Sequence, residues 1–246
     1  MRQVFFGRAL PERADVCVSP PITLSGIDGS QFKITASILK SQIHAICEWD
    51  ESIDLLSFKN ILEYQLRILI DVLGLTLNCG FDLELISAID LATGCQVVFG
   101  VDERLETTNV FPSILEMATR AFGDQCIQIA VESFRLAIRT PHRTSFYCFH
   151  AIEAVRRGFV GGDSSLDEGN LRRESWRNLR DQLRIQEETI REVEPVATDI
   201  RHGGTPGQPW LARKRHMEIA HEVIRRYIYF SMNGRLPLYE DDFPAF

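Results

Sequence analysis

No stretch of these 246 residues approaches the roughly 18 apolar residues of a membrane-spanning helix, so no helical membrane span and no membrane partner are expected. The opening Met1-Arg-Gln-Val-Phe-Phe-Gly-Arg8 breaks off after three apolar residues, so it does not read as a secretion signal, and a cytoplasmic protein is expected. Its six cysteines (Cys17, Cys47, Cys79, Cys95, Cys126 and Cys148) contain no CxxC pair, which removes the usual signs of a zinc ribbon or a redox site. They are expected to be buried, reduced thiols. No P-loop, no GxGxxG after a strand, no GxSxG and no HExxH occurs, so nucleotide, dinucleotide, esterase-elbow and zincin chemistries lose their sequence support. His150 and Glu153, and His216, Glu218 and His221, have helical spacing but no third ligand at a convincing distance in the chain. Neither metal nor cofactor is expected.

Lysine is also scarce. Of 27 basic residues 23 are Arg, and they are unevenly placed: residues 1–138 carry 10 basic against 18 acidic residues, residues 139–235 carry 17 against 13, and three acids follow. The chain as a whole is at -7 while its second half is basic. A guanidinium engages phosphate or carboxylate by a planar two-point fork that an ammonium cannot copy. Such a surplus suits RNA, and it equally suits exposed helix faces laced with Arg–Glu pairs.

With 45% apolar residues the chain can bury a substantial core. Gln31 to Asp50 alternates Phe32, Ile34, Ala36 and Ile38 with Lys33, Thr35, Ser37 and Leu39, the period of one half-buried strand or a pair. Asp54 to Leu73 reads as a largely buried helix ended by Gly74, with Asn60, Glu63, Arg67 and Asp71 on a polar stripe and Leu56, Ile61, Tyr64, Ile68 and Val72 elsewhere. Phe81 to Ser87 alternates again, and Ala92-Thr93-Gly94 separates it from Cys95-Gln-Val-Val-Phe-Gly100, predicting a hairpin. Ser113 and Glu116 have capping-box spacing, and beyond them everything reads as helix: Asp124 to Ile138, Thr144 to Phe159, Ser175 to Ile185, Glu187 to Ile200 and Leu211 to Phe230. Val160 to Asn170 and Gly203 to Pro209 have loop composition. The predicted class is α+β: a mixed α/β region over residues 1–110, then an all-α up-and-down bundle of about five helices over residues 111–246, with a short acidic tail.

The runs Phe146-Tyr-Cys-Phe-His-Ala-Ile-Glu153, Trp176 to Leu183 and Ala197-Thr-Asp-Ile-Arg-His-Gly203, followed by a last long helix, resemble the HEPN superfamily over about residues 124–232. The resemblance implies an up-and-down bundle, often dimeric. It also implies either a metal-independent ribonuclease of a bacterial defence or toxin type, carrying an Arg-x4-6-His motif, or a relative that binds RNA or nucleotides without cutting. The spacing alone is uninformative here, because 23 Arg, three permitted spacings and six His give about 1.7 chance matches and the chain has three: Arg135-x6-His142, Arg143-x6-His150 and Arg215-x5-His221. By context the pair that aligns is Arg201-His202, whereas Pro195, Val196 and Ala197 stand where the motif would put its Arg.

Arg201 and His202 are therefore the candidate catalytic residues. In the resembled ribonucleases the His is an acid/base or positioning group and the Arg steadies the phosphate as the ribose 2′-hydroxyl attacks. Neighbours on a helix point about 100° apart, so the two can share one phosphate only if the helix ends between them or a second chain contributes. The competing reading pairs Arg201 with a carboxylate and makes His202 a helix cap, favoured there by the dipole. Two functions follow: a ribonuclease completed in a homodimer, or a non-catalytic interaction or ligand-sensing protein that uses the same bundle to dimerise.

Overall fold

A computed structural model describes residues 1–25, 32–100, 112–160, 168–204 and 208–246, and the chain forms two compact units, Met1–Glu106 and Thr107–Phe246. The expected boundary at residues 110/111 and the centres of both expected loops lie outside the described residues. The class is α+β: an antiparallel sheet with one helix, then a helical region.

In the first unit, β1 (Arg2–Leu10), β2 (Val18–Ser25), β3 (Phe32–Leu39), β4 (Gln42–Trp49), β5 (Asp82–Asp90) and β6 (Gln96–Val98) form a six-stranded sheet in the order β2-β3-β4-β1-β5-β6. All its pairings are antiparallel. Period-two alternation puts Phe5 and Ala9, Ile34 and Ile38, Ile43 and Cys47, and Leu83 and Leu85 in the core. They pack with α1 (Leu55–Leu77), whose buried Phe58, Leu62, Leu66 and Ile70 recur every four residues down one face. Asp54 caps that helix by accepting from the Ser57 N–H at 2.9 Å.

Of the single strand or pair expected for Gln31 to Asp50, the pair forms, because Lys40 and Ser41 (φ 46° and 62°) make a tight reversal at its centre. Neither is a usual residue for that conformation. Long-range bonds hold it: Ser41 N–H donates to Val16 O (2.8 Å), Val16 N–H to Ser41 Oγ (2.9 Å) and Ala9 N–H to Ser41 O (2.7 Å). Gly74 does not end α1; it is buried one turn inside, and the helix stops at Asn78 in the left-handed conformation (φ 53°). The stripe also rotates, with Asn60 and Glu63 buried and Ile68 and Val72 exposed, since Arg67 reaches Asp82 (2.8 Å) and Glu63 (3.4 Å) and draws that edge inward. β1 and β2 have no counterpart in the sequence reading. At Gly7 the pairing of β1 with β5 shifts past Ile86, and a Cβ there would collide with the Glu84 carbonyl.

The second unit holds α2 (Ile114–Gly123), α3 (Gln125–Arg139), α4 (Thr144–Arg157), α5 (Glu168–Leu183), α6 (Glu187–Arg201) and α7 (Trp210–Met232). The capping box at α2 forms as expected: the Ser113 hydroxyl accepts from Glu116 N–H, and the Glu116 carboxylate accepts from Ser113 N–H at 2.9 Å. α4 is central, packed on α3, α6 and α7, with Cys148, Ala151, Ile152 and Val155 buried. α5 starts seven residues before the expected Ser175. The acidic tail is not free: Glu240, Asp241 and Asp242 are exposed, but Leu238 N–H donates to Gln182 O (3.0 Å), Phe246 N–H to Arg184 O (3.1 Å) and Gln186 N–H to Phe246 O (2.7 Å).

At the α4 terminus Gly158 lies against the fully buried Tyr227, and a Cβ would overlap its hydroxyl. Gly158→Ala is expected to cost about 2 kcal/mol and to lower the melting temperature by about 5 °C. An unchanged melting curve would show that Tyr227 moves aside freely.

Candidate functional site

Arg201 is the last helical residue of α6 and His202 is its cap, with the His202 N–H donating to Thr198 O (3.1 Å) and Asp199 O (3.0 Å). Gly203 (φ 89°) turns the chain away. His202 itself keeps near-helical angles (φ -91°, ψ 12°), so the chain leaves the helical path after the two candidate residues and not between them. Both are exposed, and the His202 ring has no partner among the described residues.

Arg201 is drawn toward α4. Its guanidinium lies 3.3 Å from Glu153 Oε2 and 6.0 Å from the centroid of Phe146. Phe146, His150 and Glu153 follow one another at i, i+4 and i+7 and so share a face of α4. The His150 ring stacks on Phe146 (6.2 Å between centroids, 13° between planes), and its Nδ1 is 2.8 Å from Ser133 Oγ on α3. Because the Ser133 hydroxyl already donates to Ile129 O (2.7 Å), it accepts the Nδ1 proton, which leaves Nε2 of His150 as the basic nitrogen. Arg201 and His150 therefore flank one aromatic ring. The sequence places His150 in one of three chance spacings and beside Glu153 as an incomplete metal pair, but not with Arg201; the signal that could have joined them is the i, i+4, i+7 recurrence of Phe146, His150 and Glu153.

The remaining Arg/His spacings do not assemble. Arg135 faces Glu132 at 3.9 Å, and Arg215 is forked onto Glu192 at 2.9 and 2.8 Å. His221 packs against Phe134, and buried His216 has Nδ1 2.7 Å from the Ser145 hydroxyl, which also donates to Gln208 Oε1 at 2.6 Å. Among the described residues no three His, Cys, Asp or Glu side chains lie together as metal ligands would, and no helix is long and apolar enough to cross a membrane. The thiol expectation holds for Cys47 and Cys148 alone; Cys17, Cys79 and Cys95 are exposed because they sit in turns and at strand margins. Burial pushes the Cys47 thiol up to about 12.

Burial lowers the pKa of both His216 and His221 below the usual histidine value. Each is thus held neutral, and between about pH 6.5 and its folded value the unfolded chain binds more protons than the folded one. The stability these histidines contribute is full above pH 6.5 and falls as the pH drops toward their folded values. Denaturant midpoints measured from pH 7.5 to pH 5 should decline, and His216→Gln should flatten the decline; a midpoint that rises on acidification contradicts this.

No curated protein and no solved structure matches the chain. Residues 3–99 match the family model described as the N-terminal domain of a domain of unknown function (DUF8168), and residues 114–232 match the model of its C-terminal domain, so both units are similar, in the same order, to the two halves of that family.

Proposed function

We propose that the C-terminal unit is a HEPN-like module that acts on RNA in a reducing cytoplasm, cutting it without a metal ion at a site centred on Arg201 and completed when two copies pair. The observation that carries the reading is the placement of Arg201 and His202, both exposed at the end of α6 ahead of the turn at Gly203; His202 keeps near-helical angles (φ -91°, ψ 12°), so the two side chains stay about 100° apart and a second copy is needed to complete the site. Arg201 would grip the scissile phosphate with its fork, and His202, whose ring has no partner among the described residues, would take the proton of the ribose 2′-hydroxyl as its oxygen bonds to phosphorus. The bond from phosphorus to the 5′-oxygen breaks, and that oxygen leaves with a proton from the imidazole of the second copy. The products are a 2′,3′-cyclic phosphate and a 5′-hydroxyl.

The test is incubation of the full chain with RNAs of mixed sequence in EDTA. Cleavage is expected, reduced about 100-fold by Arg201→Ala and by a similar factor by His202→Ala. Intact RNA, or a His202→Ala protein that cuts like its parent, ends the catalytic reading. Sedimentation as a monomer at micromolar concentration would remove the composite site.

The ion pair of Arg201 with Glu153 favours a second reading, a non-catalytic interaction or ligand-sensing protein in which the bundle dimerises. A guanidinium neutralised within its own chain is a structural tie until Glu153 lets it go. Retention of a bound RNA or ligand with no cleavage would select this alternative.

A further inference from the structure

On another part of the bundle, α5 and α6 enclose an open groove of about 430 Å³. Arg172, Arg173, Trp176 and Arg180 line it from α5 and Arg191 and Glu194 from α6, with Glu187 at the α6 start. The groove is unbalanced in charge. Glu187 is shared by Arg180 (3.5 Å) and Arg191 (2.5 Å), whereas Arg172 and Arg173 are exposed and have no carboxylate partner among the described residues. Four guanidiniums thus face two carboxylates.

The wall behind Trp176 carries a further cation. Arg156 of α4 lies over the Trp176 ring at 5.4 Å, donates to the buried Ser175 hydroxyl at 2.8 Å, and has its Nε buried with no hydrogen-bond acceptor among the described residues. Phe149 stacks on the same indole (6.1 Å, 21°). The indole is fixed by this packing and still lines the groove, while like-charged arginines crowd around it. Ordinary surface helices spread such charge along i, i+4 pairs with Glu; here it gathers where a planar aromatic group is held rigid.

A cationic groove with a fixed aromatic platform is how proteins hold single-stranded nucleic acid: arginines follow the phosphates, and a base of any kind stacks on the ring. We propose that the α5–α6 groove is a binding site for a short segment of single-stranded RNA, with phosphates on Arg172 and Arg173 and a base against Trp176. This rests on the reading of the bundle as an RNA-handling module and supplies its strand-binding face, apart from Arg201 and His202.

The experiment is fluorescence anisotropy of a labelled ten-nucleotide oligouridine with the full chain over a salt series. Arg172 and Arg173 are exposed and make no ion pair among the described residues, so Arg172→Ala/Arg173→Ala is expected to fold normally. It should weaken binding tenfold or more and reduce the log–log salt slope by about 1.4, two phosphates at roughly 0.7 each for a single strand. Tryptophan emission should be quenched on binding in the parent and not in Trp176→Phe. An unchanged affinity and slope in the double variant, quenching that persists in Trp176→Phe, or competition by uridine monophosphate as strong per nucleotide as by the oligomer would each overturn the proposal. Oligothymidine bound equally well supports it, since no contact to the 2′-hydroxyl is invoked; oligothymidine bound tenfold tighter overturns it. Cleavage in EDTA that is unaffected by the double variant sinks the groove and spares the catalytic reading, whereas tight, groove-dependent binding with no cleavage does the reverse.

Discussion

Arg226→Met is expected to lower the melting temperature of the protein by about 10 °C, the result of losing about 3 to 4 kcal/mol. Arg226 is 2% exposed and uses its whole guanidinium: Nε on Glu222 (2.7 Å), one terminal nitrogen on the carbonyls of Leu183 and Arg184 (2.9 Å each), and the other on Pro244 O (2.8 Å). Methionine fills much of the volume and satisfies none of these acceptors. A buried carbonyl that loses its donor keeps the cost of having left water. Glu222 remains held by Arg225 through two 2.7 Å bonds, so the larger penalty falls on the α5 terminus and the C-terminal segment. Amide exchange should accordingly accelerate over residues 238–246 before it does in α4. Burial opposes ionisation of Glu222, but the bonds from Arg225 and Arg226 outweigh it and hold its carboxyl below the ordinary value. Its contribution is therefore present above about pH 4.5 and lost as the pH falls through the folded value. An Arg226→Met protein as stable as the parent would show the network is replaceable by apolar packing, as buried ion pairs sometimes are.

In the first unit the corresponding position is Phe58. Phe58→Ala should cost about 4 kcal/mol, enough to lower a transition of a unit this small by roughly 20 °C. The ring is fully buried and lies parallel to Trp49, with centroids 4.0 Å apart and planes 6° apart. It also meets Phe5 at 5.9 Å and Phe32 at 6.1 Å, so one side chain of α1 contacts strands β1, β3 and β4. Its removal opens a cavity on every side, and none of those neighbours can collapse into it without breaking strand pairing. Trp49 emission reports the site directly: it should shift to the red in the variant at temperatures where the parent is folded. If the shift and the loss of stability are both absent, the sheet is held to α1 by Leu62, Leu66 and Ile70 rather than by the aromatic group.

What could be read in the chain was whatever is local. The helices of the second unit were visible because Ile190, Val193 and Ala197, or Cys148, Ile152 and Val155, repeat at helical spacing and every one is buried. Ser113 and Glu116 were visible because both partners of a capping box lie within four residues. The reversal at Lys40-Ser41 was not, since neither residue signals a left-handed turn and the bonds that enforce it come from Ala9 and Val16. β1 was hidden by Gly7, which interrupts the alternation yet fits only because β5 shifts beside it. β2 contains Pro20 and Pro21, two residues that weaken any strand reading and are tolerated on an edge.

The candidate site divides in the same way. That α6 stops at Arg201 was legible from Gly203-Gly204. That Arg201 meets Glu153 and Phe146, 48 and 55 positions away in the chain, depends on how α4 lies against α6 and leaves no local trace. The groove at Trp176 was legible only as a surplus of arginine, because its walls come from two helices and its aromatic backing from a third.

One feature of the sheet bears on how the protein is made. β1 occupies the fourth place in the order β2-β3-β4-β1-β5-β6, yet it emerges from the ribosome before both of its neighbours. Its pairing of Phe5 with Ala45 needs 40 further residues of synthesis, and its pairing with Ala88 needs 83. Loops of that length make sheet closure a late, non-local event. Until β5 appears, β1 presents an unpaired edge carrying Val4, Phe5 and Phe6, the state of this chain most open to chaperone capture or to misplaced strand exchange.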